Sequence, residues 1–169
     1  KMKEVMALSH RITVLSRGKV MATVQKNDTN PEALADLMLG NFEAKDLVNV
    51  SELIQETVVI EKEKVGSAFQ SQVKNQAKLI AVLKDIHAAN DLGHPALKGI
   101  SLEINSGEIL GMAGVSGNGQ PELTDVLSGL RPPTQGLYLF EGVPVENPTV
   151  SEMIDLGIGY IPEDRKKYG

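Results

Sequence analysis

The stretch Gly114-Val115-Ser116-Gly117-Asn118-Gly119-Gln120-Pro121-Glu122 decides the fold. It follows Glu108 to Ala113, a nearly continuous apolar run of the kind that predicts a strand buried on both faces. It precedes Glu122 to Leu130, whose apolar spacing predicts a helix. Glycines at 114, 117 and 119 allow backbone N–H groups to converge on an anion without Cβ obstruction. A helix start at the end of such a loop adds a favourable field for negative charge.

Against the phosphate-loop pattern G-x-x-x-x-G-K-[ST], Gly114 and Gly119 take the two required glycines. The lysine position holds Gln120 and the hydroxyl position that would hold Mg²⁺ holds Pro121. A neutral amide cannot supply the charge-assisted contacts of a lysine, each worth about 1.5–3 kcal/mol. Pro121 has no hydroxyl and no N–H, so it also removes one donor from the cradle. Binding can rest on the remaining amides, whereas efficient hydrolysis cannot. An ordinary strand-to-helix joint, with proline in the first helical turn, stays open as the plainer reading. The dinucleotide pattern G-x-G-x-x-G is not present, which leaves a short-chain dehydrogenase with little support.

Outward from the loop, the chain divides into three regions, 1–40, 41–77 and 78–169. In the first, residues 1–8 read as a helix, and Ile12–Leu15 and Val20–Val24 as two strands around the turn Ser16-Arg17-Gly18-Lys19. Thr29-Asn30-Pro31-Glu32 opens a helix with a cap, a proline and an acid, and Gly40 closes it. The second region reads as a linker with one strand at Thr57–Ile60 and a mobile polar tract from Ser67 to Gln76. In the third, strands are expected at Leu79–Ile86, Leu97–Ile104, Gly136–Phe140 and Ile158–Ile161, with a helix over Thr149–Leu156. The expected class is α/β, with antiparallel hairpins beside the strand–loop–helix unit. Both ends read as cuts through longer elements, which predicts exposed sheet edges and self-association or marginal stability.

The remaining numbers narrow the function classes. The 169 residues are 41% hydrophobic, enough for a packed core, and contain no cysteine for disulfides or thiolate metal sites. A formal charge of −5 and 4% aromatics argue against nucleic acid as a partner. No apolar run approaches the roughly 20 residues of a membrane span.

Two further stretches carry a resemblance. Pro95-Ala96-Leu97-Lys98-Gly99-Ile100-Ser101-Leu102-Glu103-Ile104, then Ser106-Gly107-Glu108-Ile109-Leu110-Gly111 and the glycine loop, resemble the opening of an ABC transporter nucleotide-binding domain. The likeness continues through Leu127-Ser128-Gly129-Leu130-Arg131-Pro132-Pro133-Thr134-Gln135-Gly136 to Gly159-Tyr160-Ile161-Pro162-Glu163-Asp164-Arg165. With Gly-Asn-Gly-Gln in the loop, it is similar to the second half of the double-domain ATPases of simple-sugar and nucleoside importers. Residues 1–40 resemble the tail of a first such domain, beginning just after its switch histidine.

The resemblance implies a partial, truncated P-loop NTPase of ABC type with an antiparallel β-subdomain. It makes 41–77 the linker and 78–169 the start of the second nucleotide-binding domain. It implies ATP and Mg²⁺ as cofactors, the Mg²⁺ weak or absent at this site. Gly114, Val115, Ser116, Gly117, Asn118, Gly119, Gln120, Pro121 and Glu122 would surround the phosphates. Glu163 stands where most such domains carry a glutamine that touches Mg²⁺ and couples to the membrane subunit, a loop that would also include Asp164 and Arg165. His94 is the nearest candidate for the residue that stacks on adenine, with a plain exposed loop histidine as the alternative. His10 and His87 are assigned to structure, and no residue is assigned as catalytic or as a metal ligand. The signature sequence, the second carboxylate-bearing strand and the switch histidine are absent from these residues, so they hold no complete site.

The partners implied are membrane permease subunits, the remainder of the protein's own nucleotide-binding domains and, indirectly, a substrate-binding protein. The implied location is the cytoplasmic face of the membrane, peripherally attached. A non-catalytic module that keeps the fold only to grip a permease is the competing reading.

Overall fold

The computed structural model describes residues 2–40 and 78–162. The expected linker, the strand at Thr57–Ile60, the polar tract Ser67–Gln76 and the charged run Glu163-Asp164-Arg165 lie outside the described residues. The chain is α/β and falls into two compact units, which interleave in sequence.

The first unit comprises residues 2–16, 20–40, 78–80 and 104–115. Helix α1 (Met2–Leu8) leads into β1 (Arg11–Ser16) and β2 (Lys19–Gln25), and α2 (Pro31–Leu39) follows a short 3-10 turn. Strand β1 is the middle of a three-stranded sheet of order β2-β1-β5, where β5 is Leu110–Ala113. It runs parallel to β5, with Arg11 opposite Leu110 and Val14 opposite Ala113. A strand flanked on both sides is buried along its length, and every residue of β1 after Arg11 is. Ile12, Val14, Leu34, Leu37 and Ala113 form the core, and Met2, Val5, Met6, Met21 and Val24 pack around it.

Caps set the ends of α2. The Asn30 side chain accepts the N–H of Ala33 at 2.8 Å, Pro31 takes the first turn, and Gly40 ends the helix in the left-handed region at φ 69. Glu108 is not part of β5. Its carboxylate takes a fork of two hydrogen bonds from Arg11, at 2.9 and 2.7 Å, and a third from the Asn105 amide at 2.6 Å. Burial opposes the Glu108 charge, but these bonds and the Arg11 charge outweigh it and hold the carboxyl below its ordinary value. The expected burial on both faces of the run Glu108 to Ala113 does not hold: Ile109, just before β5, is 51% exposed, and Leu110 and Met112 are half-buried. Among the described residues, β5 is at the sheet's edge with only β1 beside it.

The second unit comprises residues 17–19, 81–103 and 116–162. Its sheet has the order β4-β3-β6-β7, built from β3 (Leu79–Ala89), β4 (Pro95–Asn105), β6 (Gln135–Phe140) and β7 (Val143–Pro144). β3 and β6 are antiparallel, with Val82 opposite Leu139, and the register breaks between Lys84 and His87. That bulge leaves Asp85 in the left-handed region at φ 51. Helices α3 (Gln120–Leu127) and α4 (Val150–Asp155) complete the unit. Tyr138 of β6 is 3% exposed and donates to the Leu127 carbonyl at the end of α3; burial pushes its hydroxyl up to about 12. Helix α4 starts with a capping box, Thr149 accepting from the Glu152 amide while the Glu152 carboxylate accepts from the Thr149 amide at 2.7 Å.

The boundaries differ from the sequence reading where tertiary context intervenes. Helix α3 begins two residues before Glu122, because glycine at 119 can act as its cap, and it stops at Leu127 rather than Leu130. The strand expected at Ile158–Ile161 is not formed, and Ile161 is 85% exposed. β-branched residues favour extended backbone, but a strand needs a neighbour to bond, and no strand among the described residues pairs there.

Candidate functional site

Gly114 and Val115 carry the chain out of β5, and residues 116–119 form the turns that lead into α3. Ser116 and Gly117 are exposed, Asn118 is half-buried and Gly119 is buried. Gly119 caps the helix at φ 101 and ψ 4 and, having no side chain, makes no side-chain cap bond itself. The first intrahelical bond runs from the Leu123 N–H to the Gly119 carbonyl at 2.9 Å, so the amide of Glu122 lies ahead of the helical ladder. Pro121 is the second helical residue and contributes no donor. Gln120 and Glu122 are half-buried and Pro121 is exposed.

The two glycines of the loop's second half serve different ends. A Cβ at Gly119 would stand 2.9 Å from Leu97 Cδ2, 3.2 Å from the Ala96 carbonyl oxygen and 3.6 Å from Gly18 Cα. Packing alone therefore requires glycine there. A Cβ at Gly117 would meet nothing within 4 Å, and only its φ of +84 calls for glycine. The side of the loop at Gly117 is open.

The loop is gripped from a distant part of the sequence. Asn118 Oδ1 accepts the Arg17 N–H at 2.7 Å, and the Asn118 carbonyl accepts the Gly18 N–H at 3.2 Å. The Gly18 carbonyl in turn accepts the Lys98 N–H at 2.8 Å. Sequence reasoning missed this grip, because 101 residues separate Arg17 from Asn118 and neither residue type announces the other.

A second anchor holds the helix. The Arg131 guanidinium reaches Asp91 at 2.5 Å, Asp125 of α3 at 3.1 Å and the Ala89 carbonyl at 2.8 Å. Hydrogen bonding to Asp91 and then Asp125 raises its pKa further, against the opposing effect of burial.

The other predicted residues lie elsewhere. His94 is exposed in the turn between β3 and β4, where its N–H donates to Asn90 Oδ1 at 2.9 Å. His10 has a structural partner, its Nδ1 accepting the Ile109 N–H at 2.8 Å. His87 meets Asp85 at 3.2 Å beside the bulge. Glu163 lies outside the described residues. Among the described residues no three His, Asp or Glu side chains gather as metal ligands, and no helix is long and apolar enough to cross a membrane.

Residues 97–168 match the family model described as ABC transporter. The chain is a relative of ABC transporter ATP-binding proteins. It is 31% identical over its full length to the glucose import ATP-binding protein TsgD13 of Haloferax volcanii, covering 27% of that protein. To the guanosine import ATP-binding protein NupO of Bacillus subtilis it is 31% identical over 94% of the chain, covering 27% of that protein. The nucleoside import ATP-binding protein NupA of Lactococcus lactis is 30% identical over the full chain, which covers 29% of it. The chain thus spans less than a third of the length of these relatives. A solved ATP-binding cassette of an ABC transporter in its ADP conformation aligns with 47% of the chain at 25% identity, a TM-score of 0.44 and 31% of that structure.

Proposed function

We propose that these residues are part of the ATP-binding subunit of an importer for sugars or nucleosides, and that the loop at 114–122 holds a nucleotide by its phosphates. Within that reading, residues 1–40 are the tail of one nucleotide-binding domain, 41–77 link it to the next, and 78–169 open the second. The observation that carries the nucleotide assignment is the open left-handed turn at Gly117, followed by a helix whose cap residue, Gly119, has no side chain to bond the first-turn amides. Backbone amides and the helix field attract an anion without a lysine. Gly114 and Val115 lead into this cradle, Ser116 to Glu122 form it, and Glu163 and His94 remain candidates for its metal-coupling and adenine contacts.

ATP with Mg²⁺ is the cofactor pair of the family, and here the metal is held weakly or not at all. Gln120 brings no charge to the phosphates and Pro121 no hydroxyl to a cation. The loop therefore binds rather than hydrolyses, and the work of transport rests on the other composite site of the whole protein. Its partners are the permease subunits at the cytoplasmic face of the membrane and, through them, a substrate-binding protein.

The test is a fluorescent-ATP titration of the chain and of a Gln120→Lys, Pro121→Ser double variant. Restored charge-assisted contacts are worth about 1.5–3 kcal/mol, or roughly a tenfold or greater gain in affinity. An affinity that the double variant leaves unchanged would overturn phosphate binding at this loop and favour a purely mechanical docking module.

A further inference from the structure

We infer that Asn118 is a positioning residue, which fixes the open face of the glycine loop by gripping the turn at Arg17 and Gly18. The inference rests on the nucleotide reading given above and deepens it. A phosphate cradle made of backbone amides works only when those amides are held in place before the ligand arrives. In an ordinary phosphate loop, the lysine helps to draw ligand and loop together. Here Gln120 stands in its place, so the loop's own shape has to contribute more of the affinity.

The structure supplies the means. The Asn118 side chain does not serve the helix as a cap; its oxygen accepts the Arg17 N–H at 2.7 Å. Its main-chain carbonyl accepts from Gly18 at 3.2 Å, so one residue takes both successive amides of the turn. With the carbonyl committed on that side, the peptide plane between Asn118 and Gly119 is fixed, and the N–H of Gly119 is directed oppositely. Gly18 is itself held by the strand beyond it, its carbonyl accepting from Lys98 at 2.8 Å. The turn is thus a backstop made of main chain, and Asn118 is the hook that ties the loop to it.

The experiment compares the unmutated full chain with Asn118→Ala, Asn118→Asp and Asn30→Ala by amide hydrogen exchange and by titration with Mg-ATP. Loss of the side-chain acceptor in Asn118→Ala is expected to speed exchange at the Arg17 amide and to weaken Mg-ATP binding, each by about fivefold, the scale of one hydrogen bond. Asn118→Asp keeps an acceptor in the same place and is expected to restore slow exchange at Arg17. Asn30→Ala removes the cap of α2 and is expected to lower stability while leaving Mg-ATP affinity unchanged. Faster exchange without weaker binding would reduce the contact to scaffolding and overturn the inference, as would fast exchange in Asn118→Asp. If the unmutated chain binds no Mg-ATP, the nucleotide reading itself fails, whereas binding that ignores Asn118 sinks only the positioning role.

Discussion

Replacing Gly119 by alanine should cost far more than replacing Gly117, although both glycines have positive φ and lie two residues apart. The first term is common to both, since an L-residue in the left-handed region costs roughly 1–2 kcal/mol. Gly117, at φ +84 with nothing within 4 Å of a new Cβ, bears that term alone. Gly119 at φ +101 bears it in full and adds a packing term. Its Cβ would lie 2.9 Å from Leu97 Cδ2 and 3.2 Å from the Ala96 carbonyl oxygen. Leu97 is 1% exposed and has little room to give way, and the Ala96 carbonyl is main chain. Overpacking of this kind costs about 1–3 kcal/mol. Gly119→Ala should therefore lose about 2–5 kcal/mol and Gly117→Ala about 1–2 kcal/mol. Urea unfolding followed by circular dichroism reads both, provided the slope of the transition is unchanged between variants. Equal losses, or a larger loss at Gly117, would refute the claim that packing against Leu97 and Ala96 requires the glycine at 119.

Three further outcomes are expected. Because the Glu108 carboxyl is held below its ordinary value of 4.5 in the folded chain, its contribution is complete above that value and fades as pH falls through the lowered one; the stability gap between the unmutated chain and Glu108→Gln should be widest near pH 7 and close on acidification. Arg131→Lys cannot span Asp91, Asp125 and the Ala89 carbonyl together and should destabilise by about 1–3 kcal/mol in urea unfolding, with a smaller loss if the contacts are merely superficial. Asn30→Ala removes the acceptor for the Ala33 amide and should cost about 1 kcal/mol, visible as a lower urea midpoint.

Local chemistry was legible in the sequence, and long-range pairing was not. The hairpin around Arg17-Gly18, the start of α2 at Asn30-Pro31 and its end at Gly40 all rest on contacts within a few residues, which turn and cap residues announce. The glycine loop likewise stands between a strand and a helix, as its composition predicts. The parallel pairing of β1 with β5 gave no such signal, since Arg11 and Leu110 meet only in the folded chain. The same holds for the Arg11–Glu108 ion pair, 97 residues apart, in which Glu108 read as the first residue of a buried strand. Ile158–Ile161 shows the converse error. Its composition is that of a strand, but composition expresses a preference and only a neighbouring ladder makes the strand real.

The glycines of the loop do not weigh equally in favour of a ligand. Gly119 fits the pattern's second required glycine, yet its burial against Leu97, Ala96 and Gly18 explains its identity with no ligand invoked. A plain strand-to-helix joint under the same packing would keep it. Gly117 is different. It is no required position of the pattern, a Cβ added there would meet nothing within 4 Å, and its left-handed backbone turns the chain at an exposed point. Stability alone gives little reason to retain glycine there, because asparagine tolerates that conformation nearly as well. An added Cβ at Gly117 would occupy open space, the space that a phosphate would need under the nucleotide reading. The decisive comparison is therefore Gly117→Asn, which should leave the urea midpoint close to that of the unmutated chain while the added side chain lowers Mg-ATP affinity. A variant that binds Mg-ATP as tightly as the original would show that the open face of the turn is not where the phosphates lie.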